Sequence, residues 1–186
     1  RLPRREEARR PAGLIARARL ARRRARGRTG ASSSFVSYPR AMTAPTLRTE
    51  RLVLAPATPL DLDDSAAMWR DEAVTRYIGA IPFTREASWG RLLRYAGCWA
   101  MRGFGFWIVR ERGSGRYVGE VGFMDGHRDI TPSYEDAPEM GWVLSPWCHG
   151  RGYATEATAA ALAWADASLD ATRLVCLIKP ANAASF

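Results

Sequence analysis

Residues 139–157 read EMGWVLSPWCHGRGYATEA, and this stretch decides the fold. Glu139–Leu144 reads as a strand, ended by Ser145 and Pro146. Gly150 and Gly152 form a turn, and a helix follows from about Tyr153 to Ser168, with Ala157, Ala160, Ala161 and Trp164 as its inner face. The first turn of a helix has unpaired N–H groups and a partial positive charge, so strand, glycine turn and helix together make an anion cradle. Gly150 and Gly152 let a phosphate approach the backbone, Arg151 adds a formal charge, and Ala154 leaves the approach clear. Taken alone, such a turn is also compatible with a purely structural role. The glycines match neither the dinucleotide-binding fingerprint nor the Walker pattern.

Working outward, residues 172–179 read as a strand, so the helix before them is a crossover between parallel neighbours. Upstream, 104–110 and 117–124 form a hairpin around the turn at Arg112–Gly115. Gly119 and Gly122 inside its second strand suggest a bulge or a close backbone approach. Residues 126–138 are polar, charged and proline-containing, which predicts a loop. Earlier still come a strand at 47–55 and a helix through about Arg70, with Leu60, Ala67 and Met68 inward. A short helical piece at 72–77 follows. A longer helix at 85–101 has Trp89, Leu92, Leu93, Ala96 and Trp99 inward, and Gly103 stops it. This order predicts an α+β fold built on a mixed sheet.

At 186 residues, 47% of them apolar, the chain can bury a single core. Its net charge of +9 is unevenly placed. Residues 1–41 hold thirteen arginines against two glutamates, a surplus of eleven. Residues 42–186 hold fifteen basic and seventeen acidic side chains, a deficit of two. The division is therefore a leader, 1–41, expected to be disordered, and a folded domain, 42–186. Nucleic acid is not expected as a partner except through that leader, which also resembles a transit peptide in composition. Met42 stands directly before the ordered sequence, so the leader also reads as upstream sequence. Three cysteines, none at CxxC spacing, argue against a disulfide framework and a zinc site and favour the reducing cytoplasm. The absence of a long apolar run argues against a membrane span.

The 139–157 stretch resembles the coenzyme-A-binding core of the GNAT superfamily of N-acetyltransferases. It is most similar to the branch holding the ribosomal-protein N-terminal acetyltransferases. Residues 47–54 (LRTERLVL), 117–123 (YVGEVGF) and 182–185 (NAAS) resemble that branch's opening strand, central strand and late Asn-x-x-Ser motif, in family order. His149 departs from the family's Gln or Arg at that position. The resemblance implies an acyl-CoA N-acyltransferase fold, acetyl-CoA as cosubstrate and an amine acceptor; no metal is expected, because His127 and His149 lie far apart in sequence with no partners at ligand spacing. A homodimer is compatible with it. It implies that main-chain groups from His149 through Thr155 (Gly150, Arg151, Gly152, Tyr153 and Ala154 between them) hold the pyrophosphate. It further implies that Trp142, Val143 and Leu144 pair with the pantetheine arm as an added strand, with a strand N–H near the acetyl carbonyl. Asn182 would contact the cofactor or a bound water.

An amine attacks a thioester only when neutral, so a carboxylate at the acceptor end suits the task of base. Glu139 resembles the glutamate that often fills that role in the superfamily, and Glu120 on the neighbouring strand is the alternative. Glu156 reads as a helix-terminus charge and Cys148 as packing. Ser185 is the candidate for protonating the leaving thiolate. Family members usually continue past Phe186 with a helix and closing strands, so the C-terminal elements of the fold are expected to be missing. The alternative function is therefore an inactive or non-catalytic CoA-binding fragment. Residues 79–89 and 126–138 are expected to flank the acceptor, with Asp129, Glu135 and Asp136 favouring a cationic amine.

Overall fold

A computed structural model describes residues 14–19, 44–131, 133–134 and 137–185. Seven strands form one mixed sheet: β1 (Leu14–Arg19), β2 (Leu47–Arg48), β3 (Leu52–Pro56), β4 (Phe106–Glu111), β5 (Tyr117–Met124), β6 (Glu139–Leu144) and β7 (Arg173–Ile178). Their spatial order is β1-β7-β6-β5-β4-β3-β2, and β6–β7 is the parallel pair among antiparallel ones. The helices are α1 (Leu62–Arg70), α2 (Glu72–Thr75), α3 (Arg85–Arg102) and α4 (Tyr153–Ser168). The α+β architecture expected from the sequence is present, and α4 is the crossover.

Two apolar clusters cover the two faces of the sheet. Alternation along β4 sends Trp107 and Val109 to the α4 side, against Ala157, Ala161 and Ala165. It sends Phe106 and Ile108 to the other side, against Trp69, Leu92 and Tyr95 of α1 and α3. The alanine face of α4 lets it lie close to the sheet. Trp99, Trp107 and Trp164 meet edge to face there, at centroid distances of 4.8 to 5.2 Å. Gly119 and Gly122 mark close approach, as their spacing suggests. A Cβ on Gly119 would lie 2.1 Å from Val143 O, and one on Gly122 would lie 2.3 Å from Gly105 O. The register slips by one residue between Val109 and Arg110, which puts Tyr117 on the same face as Glu120.

Several expectations need correction. The strand expected over 47–55 is a tight hairpin of β2 and β3. Thr49 folds the chain back, its Oγ1 accepting from Leu52 N and its N–H donating to Leu52 O. Leu60 is 90% exposed, because Pro59–Asp61 winds as a 3-10 turn that shifts the helical face. Ala67 and Ala96 are exposed and Leu93 is 54% exposed. The buried faces are Ser65, Ala66, Met68 and Trp69 of α1, and Ser88, Leu92, Tyr95 and Trp99 of α3. Disorder throughout the leader does not hold for Leu14–Arg19. Those residues pair antiparallel with β7, from Leu14↔Ile178 to Arg19↔Arg173, and so supply backbone partners that a bare edge would lack. The remainder of the leader, Met42 and Phe186 lie outside the described residues.

Between the sheet and α1–α3 lies a sealed carboxylate. Glu120 is fully buried and accepts four hydrogen bonds: from Ser65 Oγ (2.7 Å), Tyr117 Oη (2.8 Å), Trp69 Nε1 (2.9 Å) and Tyr95 Oη (2.6 Å). Burial, reinforced by the Glu120 charge, pushes both tyrosine hydroxyls well above their ordinary pKa, so they remain donors. The Arg91 guanidinium, 3.8 Å away, supplies the counter-charge. One buried group thus ties α1, α3 and β5 together. Replacing Glu120 by Ala removes the shared acceptor and leaves Arg91 uncompensated. We expect a loss of roughly 3–5 kcal/mol in urea unfolding, and a smaller loss for Glu120→Gln, which keeps one acceptor oxygen.

Candidate active site

Strands β6 and β7 join at a single register pair, Glu139↔Val175, and then part. From Met140 to Leu144 the edge of β6 that faces β7 therefore has no strand partner among the described residues. Two cavities open along this parting, of about 510 Å³ on the α4 side and about 330 Å³ on the Glu139 side. Both are walled by Tyr77, Ile78, Trp142, Val143, Asn182 and Ser185. They are two chambers of one cleft, meeting at the middle of β6.

The larger chamber ends on the glycine turn. Gly150 and Gly152 have φ of 72° and 75°, a left-handed conformation that favours glycine. Gly152 is the N-cap of α4. The N–H groups of His149 and Arg151 are already committed, to Pro146 O and Cys148 O. Those of Gly150, Gly152, Tyr153, Ala154 and Thr155 have no acceptor among the described residues, so five donors stand at a helix N-terminus. The cradle expected from the sequence is narrower by two donors. Side chains brace it. His149 Nε2–H donates to Leu144 O (3.0 Å), linking the turn to the end of β6. Arg151 lies near the rings of Trp147 and Tyr153. Arg51 donates to Glu156 and to Arg151 O, and Thr49 Oγ1 also donates to Glu156. Glu156 therefore pins the first turn of α4 to the β2–β3 hairpin and lies outside both chambers.

The smaller chamber holds Glu139, buried at the start of β6. Its Oε2 accepts from Arg128 Nε (2.6 Å) and Tyr134 Oη (2.6 Å), and its Oε1 accepts from Arg128 Nη2 (2.8 Å). Burial and the bond to Glu139 raise the Tyr134 pKa. Glu120 lines neither chamber and has no free lone pair to offer a substrate, so of the two candidate carboxylates only Glu139 reaches the cleft. Asn182 Nδ2 donates to Ser185 Oγ (2.9 Å), which brings the late motif to the junction and leaves the serine proton available. Cys148 is 1% exposed, and its thiol donates to Ser145 O, with burial raising its pKa; it packs, as expected. Among the described residues no group of three or more potential ligands could hold a metal ion, and no helix is long and apolar enough to cross a membrane.

Sequence reasoning missed Tyr77, Arg91, Arg128 and Tyr134. Arg128 and Tyr134 sit in a segment whose composition signals only solvated loop. Arg91 sits at the polar margin of a helix, where periodicity is uninformative. Of the acidic residues expected near the acceptor, Asp129 is exposed and lines neither chamber, while Glu135 and Asp136 lie outside the described residues.

Comparison with known proteins agrees with this geometry. The acetyltransferase (GNAT) domain profile matches residues 51–186. The uncharacterized N-acetyltransferase p20 of Bacillus licheniformis is 27% identical over 145 residues, 76% of this chain and 77% of that protein. A structure described as a GnaT-family acetyltransferase from Bordetella pertussis is 35% identical, with a TM-score of 0.67 over 76% of this chain and 83% of that one. The ribosomal-protein-S5-alanine acetyltransferase of Vibrio fischeri shares the fold at 16% identity and a TM-score of 0.58, over 76% and 78% of the two chains.

Two outcomes follow for the cradle. Gly150→Ala meets open space, so its cost is backbone strain alone, about 1 kcal/mol in thermal or urea unfolding. For Glu156, burial alone would raise its pKa, but the bonds from Thr49 and Arg51 outweigh it and the pKa is lowered. Its contribution is therefore present above the unfolded-state pKa of about 4.3 and fades as pH falls through the lower folded value. Urea midpoints for Glu156→Gln are expected to sit below wild type at neutral pH and to converge with it below about pH 4.

Proposed function

Because the chain belongs to the acetyltransferase (GNAT) domain family, and so transfers acetyl groups from acetyl-CoA to amines, we propose that it acts on a primary amine by direct attack within a ternary complex, with Glu139 as the base. The observation that carries this reading is the two-chambered cleft. Its chambers meet on Trp142 and Val143, where two bound substrates would touch. Cys148, sealed and turned to backbone carbonyls, offers no nucleophile for a covalent relay.

The residues present fit the cosubstrate. Five unpaired N–H groups at the start of α4 suit a pyrophosphate, and the open edge of β6 suits the amides of a pantetheine arm. Bound acetyl-CoA supplies an activated acyl group as a thioester. The cradle fixes the phosphate end, and His149 holds the end of β6 in line with it. Main-chain N–H groups of Trp142, Val143 or Leu144 would polarise the acetyl carbonyl.

At the other end, Glu139 accepts the proton that turns the acceptor's ammonium into a nucleophilic amine. Both its oxygens already carry hydrogen bonds, so the proton travels through a water or the incoming ammonium displaces Arg128. Ser185, oriented by Asn182, offers its hydroxyl proton toward the leaving sulfur. Three free cysteines support a reducing compartment, the cytoplasm.

The Arg128 clamp also favours a second reading, a domain that binds CoA without catalysis. Release of free CoA from acetyl-CoA, followed across a panel of primary amines, separates the two. Glu139→Gln is expected to lower kcat/KM by about 10²–10⁴ while acetyl-CoA affinity changes less than threefold. Unchanged turnover in Glu139→Gln removes Glu139 from the role of base. Binding without turnover on any amine supports the second reading.

A further inference from the structure

The geometry points to an acceptor amine that itself carries a carboxylate, bound by Arg91. This deepens the acetyltransferase reading and rests on it. Arg91 projects from α3 into the wall of the smaller chamber, with its side chain only 14% exposed. Its guanidinium carbon lies over the Trp69 ring, 3.8 Å from the centroid. Among the described residues it donates no hydrogen bond, and its Nε is buried without a partner. Glu120 is within 3.8 Å but already accepts from Ser65, Trp69, Tyr95 and Tyr117, so it balances the charge of Arg91 without satisfying its donors. A largely buried guanidinium that lines a cavity and donates no hydrogen bond among the described residues is an incomplete anion site.

The charges of the chamber agree. Among the described residues, Arg91, Arg128 and Lys179 line it against one acid, Glu139, and Arg128 holds that acid at both oxygens. A simple polyamine entering there meets a surplus of positive charge. An amine carrying its own carboxylate is neutral overall and completes the fork of Arg91. The planar fork of a guanidinium matches the two oxygens of a planar carboxylate. Asp129, expected to favour a cationic acceptor, lies outside the chamber.

The test uses a series of ω-amino acids of two to six carbons, each paired with its amide. Acetylation kinetics are measured for the full chain and for Arg91→Lys, which keeps the charge opposite Glu120 but loses the fork. In parallel, binding of the N-acetylated acids and amides is followed by tryptophan fluorescence in the presence of CoA, a readout that needs no turnover. The expected result is a preference for the acid of roughly tenfold or more at the best-fitting length. In Arg91→Lys this preference shrinks, with a KM loss that falls more heavily on the acids than on the amides. Acid-selective, Arg91-dependent binding without turnover would uphold the carboxylate site while sinking the acetyltransferase reading. Equal binding of acids and amides at every length, or an Arg91→Lys loss that falls on both alike, overturns the proposal whatever the turnover.

Discussion

A β-strand has two hydrogen-bonding edges, and β6 spends only one of them. Its β5 edge is paired along its whole length, whereas its β7 edge is paired at Glu139 and open beyond it. Backbone groups so exposed need partners, and the crossover helix that separates β6 from β7 determines which partners can reach them. The glycine turn before α4 swings the helix N-terminus to the open end of the gap. The late Asn182–Ser185 turn, following β7, closes over its middle. The cleft is thus the space created when two parallel neighbours separate.

Around that gap, two carboxylates with the same chemistry have opposite environments. Glu120 sits where α1, α3 and β5 converge, surrounded by hydroxyl and indole donors that satisfy it. Glu139 sits at a strand end on the cleft wall, held by a guanidinium from a loop. The first is a structural cross-link, since a charge so enclosed offers nothing to a substrate. The second is held by a side chain that is itself about 42% exposed and belongs to an irregular segment, so its clamp is the weaker of the two. Arg91 connects them, being the counter-ion of one and a wall of the chamber of the other.

The strand, turn and helix of 139–168 were legible to the residue, because a period of two gives way to helical spacing across two glycines and a proline. The hairpin at 106–124 was equally clear. Legibility failed where tertiary packing overrides local pattern. Leu60 and Leu93 are apolar at helical spacing yet face solvent, while Ser65 and Glu120 are polar and buried because partners from other elements meet them. Of the site, the main-chain cradle and Glu139 could be named from spacing and resemblance. Arg91, Arg128 and Tyr134 could not, because nothing local marks a side chain whose partners come from other elements.

The pairing of β1 with β7 bears on how this chain folds as well as on its shape. Leu14 meets Ile178 and Arg19 meets Arg173, contacts between the first and last strands of the sheet. Closing so long a loop costs entropy before the contact returns anything, which places this ladder among the late events of folding. On a ribosome that makes the chain from its N-terminus, β1 emerges long before its partner exists, and β2–β6 can assemble while it waits. The β1–β7 ladder is therefore expected to close after β2–β6 have paired, and any early partner for β1 would have to be released first.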